Sequence, residues 1–281
     1  MNTLEPFRLD GAKALVTGAS RGIGRAVAVA LAEAGADLAL SARSNEALKS
    51  TADLVARAGR RAVLLAADFS EPEAAGTAVD RAGEALGGLD IVVHNAGVLP
   101  VRPDGTPDLA PLQDSAQEDW DAVVTVNLNA SAALCRRAHA HLRSSPRASL
   151  LLMSSASAVM GTPRMEAYAA SKAGQLSLAR SLAVGWAREG IRVNALCAGW
   201  TRTDMTEYAH RTAPLSDWLM AHVPMGRWAE PEEVAHTALF LSSTAAAYLT
   251  GQQVLLDGGL SVPDGGLAGI PKPAPPFAAG G

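Results

Sequence analysis

One stretch limits the possible folds more than any other. The apolar run Ala14-Leu-Val-Thr17 passes directly into Gly18-Ala-Ser-Arg-Gly-Ile-Gly24, and an Ala-rich helical pattern follows at once. A buried strand that turns within a few residues into a helix, with glycine at three points, opens a β-α-β unit. Gly18 permits the sharp exit, Gly22 leaves room for a pyrophosphate, and Gly24 lets the helix close on the strand. The unpaired amides of the first helical turn then face an anion. The alternative is a glycine-rich turn with no ligand, but the strand before it and the helix after it favour a dinucleotide.

The same rhythm continues along the chain. Short apolar runs at Ala14–Thr17, Leu38–Leu40, Ala62–Leu65, Ile91–Val93, Ser149–Met153, Arg192–Leu196 and Gln253–Leu256 read as seven buried parallel strands. Between them Arg25–Ala34, Asn45–Ala58, Glu73–Leu86, Trp120–Leu142 and Tyr168–Arg188 have helical spacing. Gly35, Gly59 and Gly190 stand where helix ends want a left-handed residue. The expectation is an α/β fold: one Rossmann-type, doubly wound, seven-stranded parallel sheet with helices on both faces, over residues 1–262. Two excursions, Leu99–Ser115 and Trp200–Trp228, interrupt the alternation and suit specificity loops. Residues 263–281, rich in Pro, Gly and Ala, form a tail that cannot bury enough apolar surface to fold alone.

Composition excludes several classes. A formal charge of −4 offers no basic field for nucleic acid or an anionic membrane. No apolar run reaches the ~18 residues of a spanning helix, and the first ten residues lack the plan of a signal peptide, so a cytoplasmic location is expected. Cys135 and Cys197 have no ligand spacing and His139 and His141 point to different helix faces, so no metal site is expected. Hydrophobic residues at 48% with aromatics at 4% call for a core of Ala, Val and Leu.

A free ribose 2′-hydroxyl is usually held by a carboxylate at the end of the second strand, but here the run is Leu40-Ser-Ala-Arg43. Arg43, with Arg21 in the turn, can grip a 2′-phosphate, which predicts NADP(H) over NAD(H). Either arginine could instead be a solvated surface charge. Asp68 is placed either to accept from an adenine amino group or to sit at a helix N-terminus near Glu71.

The motifs in combination resemble the short-chain dehydrogenase/reductase family, from about residue 9 to residue 262. Thr17–Gly24 is similar to its glycine turn, Asn95-Ala-Gly97 to its fourth-strand motif, Asn127 to its helix asparagine and Ser155 to its serine. Tyr168-Ala-Ala-Ser-Lys172 is similar to its tyrosine and lysine pair, and Asp257-Gly-Gly259 to its last motif. The resemblance to bacterial 3-oxoacyl carrier-protein reductases and to sugar or polyol dehydrogenases implies hydride transfer between a nicotinamide cofactor and a carbonyl or alcohol. It also implies a homotetramer or homodimer. The cofactor would lie along Gly18, Ser20, Arg21, Gly22, Ile23 and Gly24, then Arg43, Asp68, Phe69, Asn95, Ala96 and Gly97, then Gly199, Thr201 and Thr203. Tyr168 and Lys172 would stand at its reactive end, and Asn127 would hold a water that relays protons to Lys172.

The chemistry needs these residue types. Hydride addition leaves charge on the carbonyl oxygen, so an acid must stand beside it, and Tyr168 is the candidate. Moving a phenol from near ~10 towards neutrality takes about 3 units, and Lys172, one helical turn on, is the natural cation. Ser155, after the fifth strand, can orient the substrate oxygen. It stands thirteen residues before Tyr168, the family's separation, which favours it over Ser154. Val98, Ser157, Met160, Met165, Trp200, Met205, Tyr208 and Trp218 are candidate pocket residues, a largely apolar set suited to an acyl chain or hydrophobic ketone.

Two positions depart from the family. Ala198 stands where proline is usual, which frees a dihedral and predicts a more mobile following loop. His94 replaces an asparagine and reads as a strand-end histidine satisfied by backbone, with a titrating role as the alternative. Other readings of the chain are a non-catalytic NADP-binding module and a structural subunit.

Overall fold

The computed structural model describes residues 3–102 and 106–262, with positions 269 and 271. The tail expected over 263–281 otherwise lies outside the described residues. Seven strands form one all-parallel sheet: β1 (Lys13–Thr17), β2 (Asp37–Ala42), β3 (Ala62–Ala66), β4 (Ile91–His94), β5 (Ser149–Ser155), β6 (Arg192–Ala198) and β7 (Gln253–Leu256). Their order is β3-β2-β1-β4-β5-β6-β7. The chain therefore winds outward from β1 to β3, returns, and winds the other way from β4. A crevice opens beyond the carboxyl ends of β1 and β4 at this switch point.

Alternation along the strands divides the core in two. Val92, Leu150 and Leu152 point to a layer containing α3 (Pro72–Leu86), α5 (Ala130–Leu142) and α6 (Glu166–Trp186). Ile91, Val93 and Leu151 point to the other, with α1 (Gly22–Glu33), α2 (Asn45–Arg57) and α9 (Pro231–Ser242). Small residues face the sheet on both sides, including Ala75, Ala78 and Ala82 of α3 and Ala235 and Ala238 of α9. This is how a chain poor in aromatics brings helices close to a sheet.

The stretch expected as one helix over Trp120–Leu142 is a helix α4 (Gln117–Val124), a single π-helical turn over Thr125–Asn129, and then α5. The second excursion holds two short helices, α7 (Glu207–His210) and α8 (Ala213–Met220), on a satellite cluster of Ala209, Leu219 and Trp228. Trp200 packs edge-on against Trp228, centroids 5.6 Å apart, and Trp218 joins the same cluster.

Candidate active site

The glycine turn is held by side chains as well as backbone. Asn95 Nδ2 donates to the carbonyls of Thr17 and Gly18, each at 3.2 Å. The Thr17 hydroxyl accepts from the amides of Asn95 and Ala96, each at 3.1 Å. A Cβ on Gly24 would lie 2.2 Å from the Gly18 carbonyl oxygen, so helix and turn are as close as glycine allows. Arg25, which no sequence motif marks, reaches back from α1 to the Ser20 carbonyl at 3.1 Å and to Ser50 at 3.0 Å. Arg21 precedes α1 without capping it through its side chain. The first-turn amides therefore stay open to an anion, and the site fits the pyrophosphate of a dinucleotide.

The network fixes the state of His94. Both lone pairs of the Thr17 hydroxyl are taken by amides, so its proton goes to His94 Nδ1, 3.0 Å away. The imidazole therefore carries its own proton on Nε2, which is buried and has no partner among the described residues. Burial, assisted by the Lys172 charge, lowers its pKa to about 3. The expected backbone partner for His94 is thus corrected to a side-chain hydroxyl, and the ring is neutral at physiological pH.

At the adenosine end, no carboxylate ends β2, and Arg43 is exposed there. Asp68 stands between the end of β3 and the head of α3. Its Oδ1 accepts from the Ser70 amide at 3.0 Å, and Glu71 stands at the head of α3. That bond, with Arg43 adding a smaller pull, lowers the Asp68 pKa. Arg21 is paired with Asp204 at 3.0 Å across the crevice. Phe69 points its ring into the core beside His94, centroids 6.0 Å apart, so only its backbone is free to meet a ligand.

The loop after β6 is held by hydrogen bonds between its own residues. Ala198 is the last residue of β6, paired with Ser155 and Leu256. Beyond it Thr206 Oγ1 donates to the Thr201 carbonyl at 2.6 Å and accepts from the Thr203 amide at 3.1 Å. The Thr203 methyl rests on Gly22, 3.2 Å from where a Cβ would be.

Ser155, Tyr168 and Lys172 converge on a cavity of about 160 Å³ that Asn95, Gly97, Gly199, Thr201 and Thr203 also line. Ser155 Oγ accepts from the Ser157 amide at 3.2 Å and hydrogen-bonds Tyr168. Its neighbour Ser154 turns away, donating to the Lys172 carbonyl at 3.0 Å. Lys172 lies below the phenol, with Nζ 5.7 Å from the Tyr168 ring centroid. Its ammonium donates to the Met153 carbonyl at 2.7 Å and to Gln175 Oε1 at 3.3 Å. Burial lowers its pKa to about 8. The expectation that Lys172 pulls the phenol down is not met in this state: burial dominates and raises the Tyr168 pKa, against the pull of Ser155.

Asn127, in the π turn, is fully buried. Its side chain clamps Val98, accepting from the amide at 2.8 Å and donating to the carbonyl at 3.0 Å, and it also reaches Ser171 at 3.1 Å. Its own carbonyl accepts from Ser131 Oγ at 2.6 Å and from Gln175 Nε2 at 2.9 Å. That carbonyl is thus already engaged by two protein donors. Of the candidate pocket residues, Ser157, Met160, Met165, Trp200, Met205 and Tyr208 line the cavity, joined by Leu99, Thr162 and Leu260. Val98 and Trp218 do not: Asn127 holds the first by its backbone, and the second belongs to the tryptophan cluster. No group of three or more metal-ligating side chains occurs among the described residues, and no described helix is long and apolar enough to cross a membrane.

A family model described as enoyl-(acyl carrier protein) reductase matches residues 18–261. Gluconate 5-dehydrogenase of Gluconobacter oxydans is 33% identical over 91% of this chain and 97% of its own. D-threitol dehydrogenase of Mycolicibacterium smegmatis is 34% identical over 91% of this chain and 95% of its own. The crystal structure of a gluconate 5-dehydrogenase from Burkholderia cenocepacia with NADP and tartrate superposes with a TM-score of 0.85 at 32% identity, covering 92% of this chain and 99% of that one. The sheet order, the glycine turn and these matches together make the chain an oxidoreductase of the short-chain dehydrogenase/reductase family.

Proposed function

We propose that the protein interconverts a carbonyl and a secondary alcohol with NADPH or NADP⁺. The convergence of Ser155, Tyr168 and Lys172 beside the glycine turn carries this reading. The bound nicotinamide supplies or accepts the hydride. Ser155 and the Tyr168 hydroxyl receive the substrate oxygen, and Tyr168 gives it a proton during reduction and takes one during oxidation. Lys172 keeps a positive charge beneath the phenol as it becomes anionic, and Asn127 holds the strand-end segment at Val98 against α6. Arg43 and Arg21, with no carboxylate at the end of β2, support NADP(H) over NAD(H).

The lining supports a neutral, largely apolar ketone, including a 3-oxoacyl type. Met160, Met165, Met205, Trp200 and Tyr208 surround the approach to Ser155. Among the described residues the cavity's single cationic side chain is Lys172, already engaged below Tyr168, so a substrate carboxylate would lose its hydration without a countercharge. The second reading, a polyol or sugar dehydrogenase, rests on the similarity to gluconate 5-dehydrogenase and D-threitol dehydrogenase and on the hydroxyls of Ser157, Thr162 and Tyr208. We further propose a homodimer or homotetramer, since Val184 and Tyr248 leave large apolar side chains in solvent on the single chain. Sedimentation showing only monomer at micromolar concentration would refute that assembly.

The test is NADPH consumption with a panel of apolar ketones, neutral sugars and sugar acids. Tyr168→Phe should lower turnover by at least ~10²-fold while NADPH binding is unchanged. Cofactor binding without turnover on any substrate would instead favour a non-catalytic nucleotide-binding module.

A further inference from the structure

Lys172 is 3% exposed, and no ionised carboxylate among the described residues meets its ammonium. The titratable groups facing it are Tyr168 from its own helix, Cys197 from β6 and His94 from β4. Burial pushes the Cys197 thiol up to about 11 and keeps His94 unprotonated, so neither supplies a countercharge at neutral pH. The charge therefore depends on neutral dipoles, and the described residues provide two: the Met153 carbonyl and the Gln175 side-chain oxygen.

Gln175 is itself fully buried and uses both ends of its carboxamide. Its Nε2 donates to the Asn127 carbonyl and to Ser131 Oγ, each at 2.9 Å, while Oε1 accepts from Lys172 at 3.3 Å. One amide thus ties the ammonium to the π turn. A carboxamide cannot pass a proton on as water does, so this link fixes charge rather than conducting it.

We infer that Gln175 is a positioning residue for Lys172, holding its ammonium beneath Tyr168 and setting how readily it stays protonated. The kinetic part of this inference rests on the role proposed above for Tyr168 and Lys172. The direct part does not, because it is read in the cofactor-free protein.

The experiment follows the Lys172 side-chain ¹³Cε resonance with pH in the native chain, Gln175→Glu, Gln175→Met and Gln175→Asn, with Lys172→Arg used only for assignment. A lost hydrogen bond to a charged group corresponds to about one pH unit or more. Gln175→Met and Gln175→Asn should therefore move the Lys172 midpoint down by roughly that amount. Gln175→Glu, with an anion in the same place, should move it up. In the full enzyme, the alkaline limb of the kcat/KM profile should shift in the same directions. Gln175→Met should lower kcat about tenfold with the NADPH dissociation constant unchanged within twofold. An unmoved Lys172 midpoint in Gln175→Glu overturns the inference. Loss of the fold in all three variants also overturns it, because the role would then be structural only. A moved midpoint without turnover on any substrate would leave Gln175 in place and overturn the proposed reaction.

Discussion

Gly24→Ala and Gly185→Ala make the same chemical change within two helices and should act in opposite directions. A new Cβ at 24 would sit 2.2 Å from the Gly18 oxygen and 2.4 Å from Asn95 Nδ2. Both distances are more than about 1 Å short of attractive contact, near ~3.5 Å. Neither atom can retreat cheaply: the first is backbone, and the second is fixed at 3.2 Å from two carbonyls. Helix propensity favours alanine by up to about 1 kcal/mol, while a clash this close against fixed atoms falls in the upper part of the about 1–3 kcal/mol that overpacking costs, about 2–3 kcal/mol, so the clash wins by about 1–2 kcal/mol. For a chain of this size that corresponds to a fall in Tm of roughly 2–6 °C. The displaced turn should also bind NADPH at least about tenfold more weakly, since one misplaced donor to the phosphates is worth that much. At Gly185 nothing lies within 4 Å of the new methyl, so propensity acts alone and Tm should rise by roughly 1–3 °C. Scanning calorimetry and a fluorescence titration with NADPH measure both effects. A Gly24→Ala protein with native Tm and native NADPH affinity would show that the turn does not depend on the close approach of Gly24 to Gly18.

Three further outcomes follow. Arg43→Ala should raise the KM for NADPH by about 10–100-fold and leave that for NADH nearly unchanged, and a native KM for NADH at or below that for NADPH would refute the preference. Asp204→Asn releases Arg21 from an exposed pair, so the KM for NADPH should fall, but by no more than about fivefold; a rise would mean that the pair helps close the site. The His94 pKa is about 3 in the folded chain against 6.5 for an unperturbed imidazole, so between these values only the unfolded state takes up the proton. Stability therefore falls as pH drops through 6.5 towards 3, by about 1.4 kcal/mol per unit from this group. His94→Asn should lose about 2 kcal/mol less than the native chain between pH 6.5 and 5 in urea unfolding, and equal losses would rule out the buried neutral ring.

All seven strands were legible because each is a short apolar run bounded by turn residues, and their parallel direction follows from alternation with helices, whereas the strand order is read only from the fold. The helix Pro231–Ser242 lies outside the expected elements, although Glu230-Pro-Glu-Glu233 carries a reciprocal cap and a first-turn proline that could have marked it. The motif residues Ser155, Tyr168 and Lys172 meet as their spacing implied. What surrounds them was not legible, because it depends on partners distant in the chain. Gln175 reads as one polar residue in an Ala-rich helix until Asn127 and Ser131 arrive beside it. Arg21 reads as a free cation until Asp204 reaches it from the segment after β6. Phe69 follows a strand end, as cofactor contacts do, but the fold turns its ring inward.

The wide turn at Thr125–Asn129 means that this long helical stretch carries a phase slip. Each residue in a regular helix advances the surface by about 100°, so removing one residue there would restore ideal pairing and rotate everything on one side of the slip relative to the other. Ala130, Ala133 and Leu134 face the sheet on one side, and Asn127 faces the active-site floor from the slip itself. A tidier helix could satisfy one of these faces but not both. Length in this segment is consequently less negotiable than identity: a single deletion between 125 and 129 would do more harm than most substitutions there.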